Sequence, residues 1–216
     1  MKRGRPKGGY FVDEVRVPSV TTITGRFKAS GALMHWAWKC GKDGKDYREE
    51  RDSAASAGTL AHSMVEGWIR GEPIVCKHED PEVTARALKS FEAFLEWADQ
   101  SSLKITHTEV PLVSKKYMFG GTLDGILIKG KRAIGDWKTS NGIYPDYLVQ
   151  IAAYKGLWEE NFPDDPIDGG LHLIRFDKTY GDFTHRWWPE LNTAWDSFLL
   201  ERQLYENEKE LKKRAQ

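Results

Sequence analysis

The chain has 216 residues and balanced charge, 32 Lys plus Arg against 32 Asp plus Glu, so no global basic field exists and any polyanion would have to be held by local patches. With 40% hydrophobic and 12% aromatic residues, nine of them tryptophan, it is too apolar for a disordered chain, and its length suits one core of ordinary size. Two cysteines, Cys40 and Cys76, exclude a four-thiolate zinc or iron–sulfur site and offer no disulfide framework, which favours a reducing, intracellular location.

Residues 1–9 read as a flexible basic tail. The tail runs into Gly8, Gly9 and Tyr10 rather than an apolar stretch, so no secretory signal is expected, and no run of 18 apolar residues predicts a membrane span. Within it, Arg3-Gly4-Arg5-Pro6 is similar to the core of an AT-hook, which lays arginines such as Arg3 and Arg5 in the minor groove of DNA; the plainer reading is a solvated tail. Pro18-Ser19 then opens a short segment with Ser19 or Thr21 as N-cap.

From Met34 to Asp52 aromatics (Trp36, Trp38, Tyr47) are mixed with Lys39, Lys42, Lys45 and Arg48. Such a mixture can stack bases and hold phosphates, or it can be a helix packed through its tryptophans beside a solvated lysine loop. Asp52 or Ser53 is expected to cap a helix running to Ile69, whose apolar positions Ala57, Leu60, Ala61, Met64, Val65 and Trp68 recur at helical spacing before Gly71 and Pro73. Asp80-Pro81 starts a second helix that buries Val83, Ala87, Phe91, Phe94, Leu95 and Ala98.

The period then changes. Residues 105–113, 121–129, 131–138, 170–176 and 183–188 read as strands, and 144–160 and 190–213 as helices. The first three strands can form a meander, and the helix that follows is long enough for a right-handed parallel crossover. The expected fold is therefore α/β, a central mixed sheet flanked by helices.

The hairpin 121–138 holds the densest chemistry. With a three-residue loop at 129–131, Ile128 faces Arg132, Ile126 faces Ile134 and Asp124 faces Asp136. Opposed carboxylates lie only about 5 Å apart at Cβ and repel unless a cation joins them, and oxygen-ligated Mg²⁺ or Mn²⁺ is a natural occupant. Period-two alternation adds Lys138 to that face and sends Trp137 to the other. A two-residue loop would break this pairing, so the reading requires an odd loop. Two further pairs at i, i+4 lie on helices: His62 with Glu66, and Gln150 with Tyr154. Taken singly, each can be an ordinary structural pair.

The set Gly58-Thr59-Leu60-Ala61-His62, Gly121-Thr122-Leu123-Asp124, Asp136-Trp137-Lys138 and Gln150-Ile151-Ala152-Ala153-Tyr154 resembles, in order and spacing, the PD-(D/E)XK nuclease superfamily and its RecB-like, phage-type exonuclease branch; Pro18-Ser19-Val20-Thr21-Thr22 resembles the start of phage-type members. The resemblance implies a restriction-endonuclease-like core. It makes Asp124 and Asp136 metal ligands, adds the main-chain carbonyl of Trp137, and makes His62 a ligand to a second metal. It gives Lys138 the task of orienting or deprotonating water, and Gln150 and Tyr154 contact with DNA near the scissile phosphate. Glu66 and Glu109 either touch the metal shell or anchor neighbouring structure.

Asp136 stands where many members have Glu, a shorter reach by one methylene, and the four cysteines of iron–sulfur relatives are missing. The implied activity is Mg²⁺- or Mn²⁺-dependent DNA exonuclease action in recombination, repair or replication, in a bacterial or phage-encoded cytoplasmic protein. The alternatives are a DNA endonuclease and a DNA-binding module that kept the fold without catalysis. A metal protein of another kind, built on His62 and Glu66, lacks the second histidine of the zinc-protease pattern. The expected organisation is one domain over 10–216, with a helical part at about 18–100 and a catalytic sheet core at about 105–190.

Overall fold

The computed structural model describes residues 6–28 and 30–216; Arg3 and Arg5 lie outside the described residues. A short hairpin, β1 (Tyr10–Val12) and β2 (Val15–Val17), leads to helices α1 (Val20–Phe27), α2 (Gly31–Lys42), α3 (Tyr47–Arg70) and α4 (Pro81–Gln100). Then come β3 (Lys104–Ser114), β4 (Phe119–Lys129), β5 (Lys131–Lys138), α5 (Pro145–Asn161), β6 (Leu171–Phe176), β7 (Phe183–Trp188) and α6 (Asn192–Arg214). Among the described residues no helix is long and apolar enough to cross a membrane.

Strands β3 to β7 form one five-stranded sheet in sequence order. β3, β4 and β5 make the antiparallel meander, α5 carries the chain across to β6, which pairs parallel with β5, and β7 returns antiparallel. The fold is thus a mixed α/β sheet with helices against it. The β4–β5 register is Ile126↔Ile134 and Ile128↔Arg132, as the odd-loop reading requires. The loop is shorter than the expected three residues: Lys129 pairs with Lys131, and Gly130 turns alone at φ 75°, a left-handed conformation that glycine adopts without steric cost.

The sheet buries both faces. Ile126 and Ile134 point into one core with Phe119, Ile151, Leu157 and Phe198, under α1, α5 and α6. Leu127, Ala133 and Trp137 point into the other with Phe94, Trp97 and Phe176, under α3 and α4. This split is the alternation of β5 made physical: Trp137 goes to the α3–α4 side, as expected, while Asp136 and Lys138 meet α5.

Two expectations need correcting, and one element has no counterpart in the sequence reading. Helix α3 begins at Tyr47, about one and a half turns before Asp52, because the Asp46 carboxylate accepts the Arg48 N–H and caps it there. The hairpin β1–β2 turns without a glycine: Asp13 and Glu14 take positive φ, 44° and 69°, and Glu14 is not a usual residue there. The segment from Met34 is helical, but it does not pack through both tryptophans; Trp38 is 60% exposed.

Candidate active site

Ser19 caps α1 by accepting the Thr22 N–H and sets that helix against the end of β4. Two glycines then allow close approach. A Cβ on Gly121 would lie 2.9 Å from Tyr154 Cε1 and 3.0 Å from Leu157 Cδ1, so the bare backbone of β4 lets α5 settle onto it. A Cβ on Gly58 would lie 2.8 Å from Thr139 Oγ1, so α3 can approach the end of β5. Between these elements lies a cavity of about 350 Å³ whose lining includes His62, Glu109, Asp124, Trp137, Lys138, Gln150 and Tyr154.

The β4–β5 ladder ends at Gly125↔Gly135. Beyond it the Asp124 carboxylate takes over and accepts the Trp137 N–H at 2.9 Å. On the other side of β4, Glu109 falls between the Thr108↔Gly125 and Val110↔Leu123 pairs with φ 51°, a left-handed conformation that costs a bulky residue on the order of 1–3 kcal/mol. The Thr108 hydroxyl, donating to the Asp124 carbonyl at 2.9 Å, braces this irregular stretch.

His62, Glu109 and Asp124 thereby converge: one ligand atom from each lies within 4.8 Å of the others. Two oxygen or nitrogen ligands on one ion can stand no more than about 4.2 Å apart at Mg²⁺ bond lengths, so a contraction of a few tenths of an ångström would close the set on a cation. Burial, helped by Lys138, lowers the His62 pKa to about 4, so the imidazole is neutral at pH 7 and able to ligate. The Trp137 backbone works in the other direction, favouring a proton on the ring, but burial outweighs it.

Asp136 stands outside that group of three. It is fully buried, with Oδ2 2.6 Å from Lys138 Nζ in an ion pair yet taking no hydrogen bond. Lys138 Nζ also donates to Gln150 Oε1 at 3.0 Å, Gln150 Nε2 donates to the Tyr154 hydroxyl at 2.8 Å and reaches Asp136 Oδ1 at 3.4 Å. Lys138, Asp136, Gln150 and Tyr154 are one network. Burial holds Tyr154 well above the ordinary tyrosine range, so it stays a neutral phenol.

The electrostatics show a site short of positive charge. Burial, with Asp124 and Glu66 nearby, pushes Glu109 up to about 7. Burial likewise pushes Asp136 up to about 6 despite Lys138, and raises Asp124. Burial alone would lower Lys138, but the two aspartates overcome it and hold the ammonium charged. Asp124 and Asp136 share the Lys138 ammonium while Glu109 has only Arg70 to offset it, and such a surplus of carboxylates beside a neutral imidazole is a donor set that a divalent cation fits.

Glu66 stands one turn beyond His62, paired with Arg70; it anchors α3 and acts on the cluster through space. Glu109 belongs nearer the centre than its sequence context suggested. The signal that could have found it is the meander register, which sets Glu109 opposite Asp124.

No protein-family model matches the chain, and no curated protein matches it. Among solved structures it matches a protein from Eubacterium rectale provisionally named an exonuclease, with a TM-score of 0.47 and 15% identity, over 67% of this chain and 64% of that chain.

Proposed function

We propose that this protein is a divalent-metal-dependent nuclease that hydrolyses DNA phosphodiester bonds, acting from DNA ends as an exonuclease in recombination, repair or replication. The observation that carries this reading is the meeting of His62, Glu109 and Asp124 within reach of one ion, beside the buried Asp136–Lys138 pair, on the floor of one cleft. The preference for DNA and for ends rests on the motif resemblance, chiefly His62 and the Gln150/Tyr154 pair.

His62, Glu109 and Asp124 would hold the cation, with Asp136 and the Trp137 carbonyl beside it; Mg²⁺ suits the carboxylates and the imidazole favours Mn²⁺. When bound, such an ion lowers the pKa of water and neutralises charge on the phosphate. In the reaction, water attacks phosphorus in line and gives up a proton, the bond from phosphorus to the leaving sugar oxygen breaks, and that oxygen takes up a proton, so that one hydrogen of the water ends on each product. Lys138, held between Asp136 and Gln150, places a fixed positive charge where the attacking oxygen and the phosphoryl oxygens gather charge. The hydroxyls of Ser19, Thr21 and Thr139, which line the same cleft, can donate to non-bridging phosphate oxygens.

The test incubates linear, nicked and closed circular DNA with Mg²⁺ or Mn²⁺, beside Asp136→Asn. Linear DNA should be degraded and closed circles spared, and the variant should be slower by about a hundredfold or more. Intact DNA of every form with wild type would end the nuclease reading, and cleavage of closed circles would replace exonuclease with endonuclease.

A further inference from the structure

Helix α2 is unusual for its composition. It contains no acidic residue, carries Lys39 and Lys42, and is apolar over much of its length, yet only Cys40 is buried. Leu33, Met34 and Trp38 are 57%, 63% and 60% exposed. Its packing is chiefly against α3, through an edge-on contact of Trp36 with Tyr47. The result is an arm with an indole platform on its surface: His35 lies against the Trp38 ring with centroids 5.5 Å apart, and Lys42 Nζ sits 5.4 Å from the indole centroid.

The arm continues from the cleft. Ala54, Ala55, Gly58 and Thr59 of α3 line a second cavity that shares His62, Glu109 and Thr139 with the first. Helical spacing places Arg51 and Tyr47 on the same stripe as Ala55, Gly58 and His62. From His62 to Tyr47 that stripe runs about 22 Å, floored by small residues.

Charge points the same way. Residues 39–52 balance five bases with five acids, but three of the carboxylates are engaged away from α2: Asp46 caps α3, Glu50 pairs with Lys45 and Asp52 with Arg51, which leaves Asp43 and Glu49. Among the described residues Lys39, Lys42 and Arg48 have no acidic partner.

We propose that the α2 arm is a binding site for single-stranded nucleic acid, in which bases stack on Trp38, phosphates lie against Lys39 and Lys42, and the strand follows the α3 stripe to the cleft. The inference rests on the nuclease reading for its choice of partner. Exposed aromatic rings flanked by lysines suit a single strand, whose bases are free to stack, better than a duplex, whose bases are not. A protein partner would be suited by Leu33, Met34 and Trp38 but would gain nothing from the unopposed Lys39 and Lys42 beside the exposed indole edge.

The test is fluorescence anisotropy of a labelled oligothymidylate, long enough to span arm and cleft, with Ca²⁺ in place of Mg²⁺ or Mn²⁺ to suppress cleavage. Trp38→Ala should weaken binding at least about fivefold, Trp38→Phe should restore most of the affinity, and a blunt duplex should respond less. Removing Lys39 and Lys42 together should reduce the slope of log affinity against log salt by about 1.4. Unchanged oligothymidylate affinity in Trp38→Ala would overturn the proposal, as would a Trp38→Ala effect confined to oligomeric state. Hydrolysis of bis(p-nitrophenyl) phosphate by the wild type with Mn²⁺ tests the chemistry separately. Absence of that hydrolysis with Trp38-dependent strand binding would remove the nuclease reading and leave the arm as a binding site.

Discussion

Asp124 and Asp136 share the buried Lys138 ammonium, and the third carboxylate of the cluster, Glu109, is relieved only by Arg70. Its folded-state pKa is raised, from 4.5 to about 7, so the metal-free folded protein holds this proton more tightly than the unfolded chain does. The stability contributed by that proton is complete below about pH 4.5 and lost as pH rises through about 7. A divalent cation needs the deprotonated carboxylate, so its binding has the opposite dependence. The rise in melting temperature given by a fixed Mn²⁺ concentration should grow from pH 6 to pH 8, and in Glu109→Gln that growth should shrink to the part left by Asp124 and Asp136. Differential scanning fluorimetry at the two pH values reads both outcomes. Asp124, Asp136 and Lys138 were legible as a group because period-two alternation and an odd loop are local rules. Glu109 was less so, since its place depends on a left-handed backbone within a strand, which nothing in its immediate sequence announces.

At the scale of elements, two small residues decide where the helices sit. Gly121 meets Tyr154, Leu157 and Val20 at once, at 2.9 to 3.1 Å from where its Cβ would be, and all three are buried, so a methyl there has to push several neighbours together. Gly121→Ala should therefore cost about 1–3 kcal/mol, seen as a lower urea midpoint with an unchanged slope, and should displace α5 with Gln150 and Tyr154. The long helices and central strands could be read from periodicity because their burial is one-sided or complete over many residues. The β1–β2 hairpin could not, since Asp13-Glu14 adopts by tertiary packing what Asn-Gly would announce locally. The cap of α3 was placed too late for a related reason: Asp46 and Asp52 are equally good caps in isolation, and the contact of Trp36 with Tyr47 favours the earlier one.

For the whole molecule, the sheet separates two cores, and the site lies where the α1–α5 side and the α3 side both reach the ends of β4 and β5. A core residue remote from the cleft should then affect stability without changing the chemistry. Phe198 on α6 is fully buried and stacks on Trp195 and against Phe119. Phe198→Ala should lower stability by about 3–5 kcal/mol by denaturant unfolding, while Mn²⁺ affinity well below the melting temperature stays at the wild-type value. The layered α/β architecture was the most legible level, because the change from helical to alternating periodicity recurs along the chain. Which helix covers which face was not, because that depends on the handedness of packing and on the close approaches at Gly58 and Gly121.

The central claim is that His62, Glu109 and Asp124 together hold one divalent ion on which the chemistry depends. Calorimetric titration of Mn²⁺ at pH 8 into the wild type and into Asp124→Asn, each verified as folded by circular dichroism, tests it most directly. Saturable binding by the wild type, and its loss or weakening by tenfold or more in Asp124→Asn, is the predicted result. Equal Mn²⁺ binding by the two proteins, or none by the wild type, would contradict it.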